Sequence, residues 1–132
     1  YADNGVFGEV TQYLWKMSSS YRVRAYLSTD ANSTGMQYFE QRDTGTVDDV
    51  RTLGTYYSPD INVPFNIASR HGSTFINGAT DGTALTANLT PTALPDLSAT
   101  DFLLAPTYNG TIGKLRVWAD DIGDTGIEEA ST

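Results

Sequence analysis

The sequence predicts an all-β protein, an antiparallel β-sandwich closed by one short helical turn. Three observations predict it. Several runs alternate apolar and polar residues with period two, "YRVRAYLS" (21–28) most cleanly, which marks a sheet with one buried and one wet face. Turn dipeptides fall between such runs at Asn77-Gly78, Asp81-Gly82 and Asn109-Gly110, and both Asn-Gly and Asp-Gly suit the positive φ angles of a tight hairpin. Composition agrees, because 39% hydrophobic and 18% charged residues favour a folded core over a disordered chain. At 132 residues a single domain is expected, able to bury most of the surface its unfolded form exposes.

The elements follow in chain order. "GVFGEV" (5–10) and "TQYLWKM" (11–17) are expected strands, rich in Val, Phe, Tyr and Trp. In the next run Tyr21, Val23, Ala25 and Leu27 point one way, and Arg22, Arg24 and Ser28 the other. A turn cluster, "STDANSTG" (28–35), separates it from "MQYFEQR" (36–42), where the strand pattern resumes. "TVDDVRTLG" (46–54) reads as strand and loop in preference to the short helix that Thr46 could cap. "VPFNIASR" (63–70) and "STFING" (73–78) are strands joined at His71-Gly72. Pro91, Pro95 and Pro106 make "TANLTPTALPDLSATD" (86–101) and its exit a loop or edge segment, since proline cannot donate to a ladder. "FLLAP" (102–106) and "TIGKLRVWA" (111–119) are the last strands, and in the second Leu115 and Val117 face the core while Lys114 and Arg116 face water. The total is about ten short strands with turn signals roughly 8–12 residues apart.

After "RVWA" the chain changes character. "DIGDTGIEEAST" (121–132) reads as a helical turn, with Thr125 and Glu128 at capping-box spacing and Ile127 anchoring it against the core. Asp120, Asp121 and Asp124 near the helix start favour its dipole. The same acids do not carry a calcium site: a hard cation needs six to eight oxygens, and no "DxDxDG" spacing supplies them.

Several functions are excluded by chemistry. Sixteen Asp and Glu against eight Lys and Arg give a net charge of −8, which cannot replace phosphate counterions, so nucleic acid and anionic membrane surfaces are not expected partners. Zero cysteines remove disulfides, thiolate metal sites and cysteine nucleophiles together. No apolar run approaches the roughly 18 residues of a membrane span. No basic region leading into an apolar one opens the chain, and a start at Tyr1 suits a processed chain or a fragment. Neither cofactor nor metal is implied.

Catalysis finds little support, and a polysaccharide-degrading enzyme is the rival reading from another class. A retaining glycosidase sets two carboxyl groups about 5 Å apart, whereas Glu9 and Glu40 stand alone in their strands and Glu128-Glu129 are adjacent and diverge. His71, the single histidine, sits in an expected tight turn and is read as exposed to water. No "HExxH", "GxSxG" or phosphate loop occurs. Sugar binding keeps better support, because aromatic faces stack on sugar rings while polar neighbours bond the hydroxyls. Tyr56, Tyr57 and Tyr108 fall nearest expected loops and are the candidate contacts, with Arg70 as a cationic companion. Trp15 and Trp118 lie in expected strands and are read as core or sheet-face residues.

The segments "FNIASRHGSTFINGATDG", "FLLAP" and "NGTIGKLRVWADDIGDTGIEEA" stand in an order that resembles the laminin-G-like, concanavalin-A-like sandwich. More narrowly, the chain is similar to the compact form of that domain at the ends of bacteriophage tail-fibre and other virion-surface proteins. "FLLAP" departs from the pattern, lacking the glycine usual in that strand. The resemblance implies a non-catalytic module at a virion surface or outside the cell, recognising a host glycan or completing an assembly. Its partners would be other virion subunits, a cell-surface glycan, and further copies of itself. It places "GTIGKLRVW" as a central strand and the acidic corner after it as the exit from the sheet.

Overall fold

The computed structural model describes residues 12–16, 20–28, 36–52, 64–105 and 111–132. The expected strand "GVFGEV" and the Asn109-Gly110 turn lie outside these residues. Within them the protein is mostly β, with two antiparallel sheets and one helix. The first sheet holds β1 (Gln12–Lys16), β2 (Tyr21–Ser28), β3 (Met36–Asp43) and β4 (Thr46–Arg51). The second holds β5 (Ile67–His71), β6 (Ile76–Thr80) and β7 (Thr83–Ala84), while β8 (Leu103–Leu104) returns to pair with β1 at the edge of the first. The strand orders are therefore β4-β3-β2-β1-β8 and β5-β6-β7.

Register follows from the alternation. β2 and β3 pair in continuous register from Tyr21↔Asp43 to Ser28↔Met36, so Ala25 stands opposite Phe39 and both face the second sheet. There they form a core with Phe65, Ile67 and Leu85 packed against it. Gln37 and Gln41 share this buried face, which requires partners for their amides. Gln41 Nε2 donates to the carbonyls of Ala93 (2.7 Å) and Gly72 (3.2 Å), and Gln37 Oε1 accepts from the Thr80 hydroxyl. Asp48 of β4 gathers the loop after β7, accepting the backbone N–H groups of Thr92 (2.7 Å) and Ala93 (2.6 Å).

The second sheet is covered on both faces. Ile67 and Gly78 look toward the first sheet, where the Phe39 ring occupies the space a side chain at 78 would need. Ala68 and Ala79 look the other way, against Ile127 of α1 (Gly123–Ala130), with Ala84, Ile122 and Ala130 around them. The expected anchoring by Ile127 is what the structure shows, since that side chain is fully buried.

Three expectations are corrected. Asn77-Gly78 does not turn the chain; it lies inside β6, because the glycine serves the close approach of Phe39. The tight turn is Asp81-Gly82, with φ angles of 45° and 76°. Thr125 and Glu128 do not form a capping box, since α1 begins two residues before Thr125. Asp121 Oδ1 instead accepts the Gly123 N–H (3.0 Å), and Glu128 Oε1 accepts from the Ala84 N–H (3.4 Å). Finally, residues 111–118 form no strand, and Leu115, Val117 and Trp118 are exposed, Val117 at 79%. No helix among the described residues is long and apolar enough to cross a membrane.

Candidate functional site

Of the four residues that the sequence nominates for ligand contact, Tyr56, Tyr57 and Tyr108 lie outside the described residues. Arg70 is described, and its guanidinium is engaged on three sides. Its place in β5 puts it on the helix-facing side of the second sheet, next to Asn77 of β6. Nη1 donates to Asp124 Oδ1 (2.8 Å), Nη2 donates to Asp121 Oδ2 (2.7 Å), and the plane lies 4.0 Å over the Phe75 ring. Asn77 Nδ2 adds a second donor to Asp124 Oδ1 (2.9 Å). Asn77 first, then Arg70, holds the Asp124 carboxyl below its ordinary range, because each donor favours the ionised form. This cluster fastens α1 to the sheet. Two of the three acids at the corner are thereby committed to Arg70, and the described residues contain no group of three or more metal-ligating side chains.

The outer face of the first sheet carries a different arrangement. On this face β2 presents Arg22, Arg24 and Tyr26, opposite Arg42, Glu40 and Tyr38 of β3. Next to these, β4 adds Asp49 opposite Glu40 and Arg51 opposite Tyr38. Glu40 is buried and bonds both arginines, Oε1 to Arg22 Nε (2.8 Å) and Oε2 to Arg24 Nη2 (2.6 Å). A buried carboxylate of this kind is tolerable because two charge-assisted bonds replace its hydration.

Beside the ion cluster the Tyr26 and Tyr38 rings stack, with centroids 4.7 Å apart and planes within 5°. Arg24 covers Tyr26 at 4.4 Å and Arg51 covers Tyr38 at 5.6 Å. Neither guanidinium fits between rings so close, so each sits on an outer face, giving a row of guanidinium, ring, ring, guanidinium. Such contacts are favourable because the ring face is electron-rich. Burial pushes the Tyr26 hydroxyl well above the ordinary phenol range. Arg51 is the open end of the row: its side chain is 49% exposed, its Nε lies 3.7 Å from Asp49 Oδ2, and its Nη1 donates weakly to the Tyr38 hydroxyl at 3.4 Å. The sequence held the signal for this row. Tyr26 shares the parity of Arg22 and Arg24 in the cleanest alternating run, so a large aromatic is expected on the wet face.

His71 does not lie in an exposed turn. It ends β5 on the side facing the first sheet, with Ser69 Oγ 3.0 Å from its Nε2 and with Nδ1 buried and without a hydrogen-bond partner among the described residues. Desolvation lowers its pKa to about 4, so the imidazole is neutral at pH 7. A serine beside a histidine has the outline of a nucleophile and its base. The outline is incomplete, because among the described residues no carboxylate orients Nδ1, and a base of such low pKa draws a proton poorly.

No protein family, curated protein or solved structure matches the chain.

Proposed function

We propose that this chain is a non-catalytic recognition module of a virion surface, folded as a concanavalin-like sandwich and binding a cell-surface glycan. The virion assignment rests on the ordered likeness of the quoted segments to tail-fibre domains. The observation that carries the binding reading is the Tyr26–Tyr38 row, capped at its open end by Arg51 and flanked by Asp49. A half-exposed aromatic edge with a guanidinium and a carboxylate beside it offers what a sugar needs: apolar surface for its C–H faces, and donors and acceptors for its hydroxyls. Arg51 lies on a ring face that a sugar would use, so binding would displace it. The incomplete Ser69–His71 pair supports a non-catalytic reading over a hydrolytic one.

Affinity per site is expected near millimolar, because a shallow face buries few contacts and sugar hydroxyls exchange one partner for another. Attachment then relies on several copies, whose effective concentration adds about two decades or more. The test is a glycan array probed with the domain as a monomer and on a multivalent scaffold, with Tyr38→Ala and the Tyr56→Ala/Tyr57→Ala pair as variants. Loss with Tyr38→Ala assigns binding to the sheet face, and loss with the Tyr56→Ala/Tyr57→Ala pair assigns it to those two tyrosines. Failure of the multivalent wild type on every host surface would overturn recognition. A purely structural role on the particle is then the reading that stands, and the exposed Leu115, Val117 and Trp118 favour it.

A further inference from the structure

Residues 112–118, "IGKLRVW", have the strongest strand pattern in the second half of the chain, yet carry no helix, turn or ladder. Among the described residues nothing bonds to their backbone. Lys114, Arg116, Val117, Trp118 and Asp120 make no hydrogen bond, ion pair or ring contact there, and all five are exposed. A strand-forming segment whose N–H and C=O groups have no partner among the described residues, and which carries an apolar stripe, is a template for pairing with another chain.

The geometry points to a second copy of this chain as the partner, paired antiparallel through residues 114–120 about a two-fold axis at Val117. The distribution of charge selects that partner and that direction. The segment runs from basic (Lys114, Arg116) to acidic (Asp120), and Lys114 and Asp120 lie equally far from Val117 on either side. An antiparallel partner centred there sets Lys114 of each copy opposite Asp120 of the other, whereas a parallel partner sets like charge against like. On the same face each Arg116 meets a Trp118, an ordinary cation–π pair. On the opposite face Leu115 meets Ala119, and Val117 meets itself. Opposed pairs of this kind are what stabilise a sheet, and the contact is self-complementary as a two-fold interface must be. The chain bends at Ala119 and Asp120, so the ion pairs close the two ends of the paired segment. This inference does not depend on the glycan reading.

The test is sedimentation equilibrium of the full chain with three sets of variants. The wild type should form dimers. Val117→Lys, which opposes two like charges at the axis, should leave only monomers with an unchanged thermal midpoint in dilute solution. Lys114→Asp should weaken the dimer about tenfold, and Lys114→Asp with Asp120→Lys should restore it. Because the chain has no cysteine, Val117→Cys can cross-link only to itself, and mild oxidation should give a disulfide dimer that Ser73→Cys does not. A wild type that stays monomeric at every attainable concentration would overturn the proposal. So would a dimer indifferent to Val117→Lys, or equal cross-linking of the two cysteine variants.

Discussion

A methyl group at position 78 would stand 2.0 to 2.5 Å from three carbons of the Phe39 ring, which is itself fully buried. Gly78→Ala should therefore lower stability by roughly 1–3 kcal/mol, the usual cost of overpacking, measured by urea unfolding. Thr44 gives the opposite case. It holds φ at 47° in the β3–β4 turn, a region that β-branched residues avoid, so Thr44→Gly should raise stability by about 0.5–1 kcal/mol in the same measurement. If both changes move stability the same way, steric fit does not govern these positions. The two residues also show what a sequence can tell at this scale. Asn77-Gly78 and Asp81-Gly82 look alike as dipeptides, and only the second is a turn. A glycine needed for its φ and one needed for its missing Cβ leave the same letter. The partners of Arg70 were hidden for a related reason, since Asp121 and Asp124 stand 51 and 54 residues further along the chain.

At the scale of elements, the helix α1 and the stretch 111–118 contrast in a testable way. Ile127 is buried between Ala68 and Ala79, so Ile127→Ala should cost roughly 2–5 kcal/mol. Leu115 is 44% exposed, and Leu115→Ala should stay within about 0.5 kcal/mol when thermal unfolding is followed in dilute solution. A loss at Leu115 as large as that at Ile127 would place 111–118 inside the fold of its own chain. The sequence made β2, β3 and α1 legible because alternation, a clean turn cluster and an apolar anchor are local properties. It misjudged 111–118 because alternation prepares a strand for pairing without supplying the neighbour. The Tyr26–Tyr38 row needed both pieces of information: parity in each strand was readable, but the register that stacks them required the pairing of β2 with β3.

For the molecule as a whole, His71 governs part of the response to acid. Its folded pKa of about 4 lies below the ordinary 6.5, so the unfolded chain takes up a proton that the native protein refuses. Stability is therefore complete above about pH 6.5, falls as pH drops toward 4, and loses nothing more from this group below that. Asp124, also depressed, contributes at lower pH, where its carboxylate finally protonates. Thermal midpoints of wild type and His71→Gln between pH 7 and 4 should diverge in slope, the variant being flatter; parallel profiles would remove His71 from the account. The double covering of β5-β6-β7 bears on how the chain comes to be made. The donors Arg70 and Asn77 precede their acceptor Asp124 by 54 and 47 residues. On a ribosome adding about 5–20 residues per second, the outer alanine face of that sheet would wait roughly 2–11 s for its cover. During those seconds a nascent molecule exposes Ala68 and Ala79 to whatever else is nearby, and a chaperone that shields them would raise the yield of folded protein without touching its final stability.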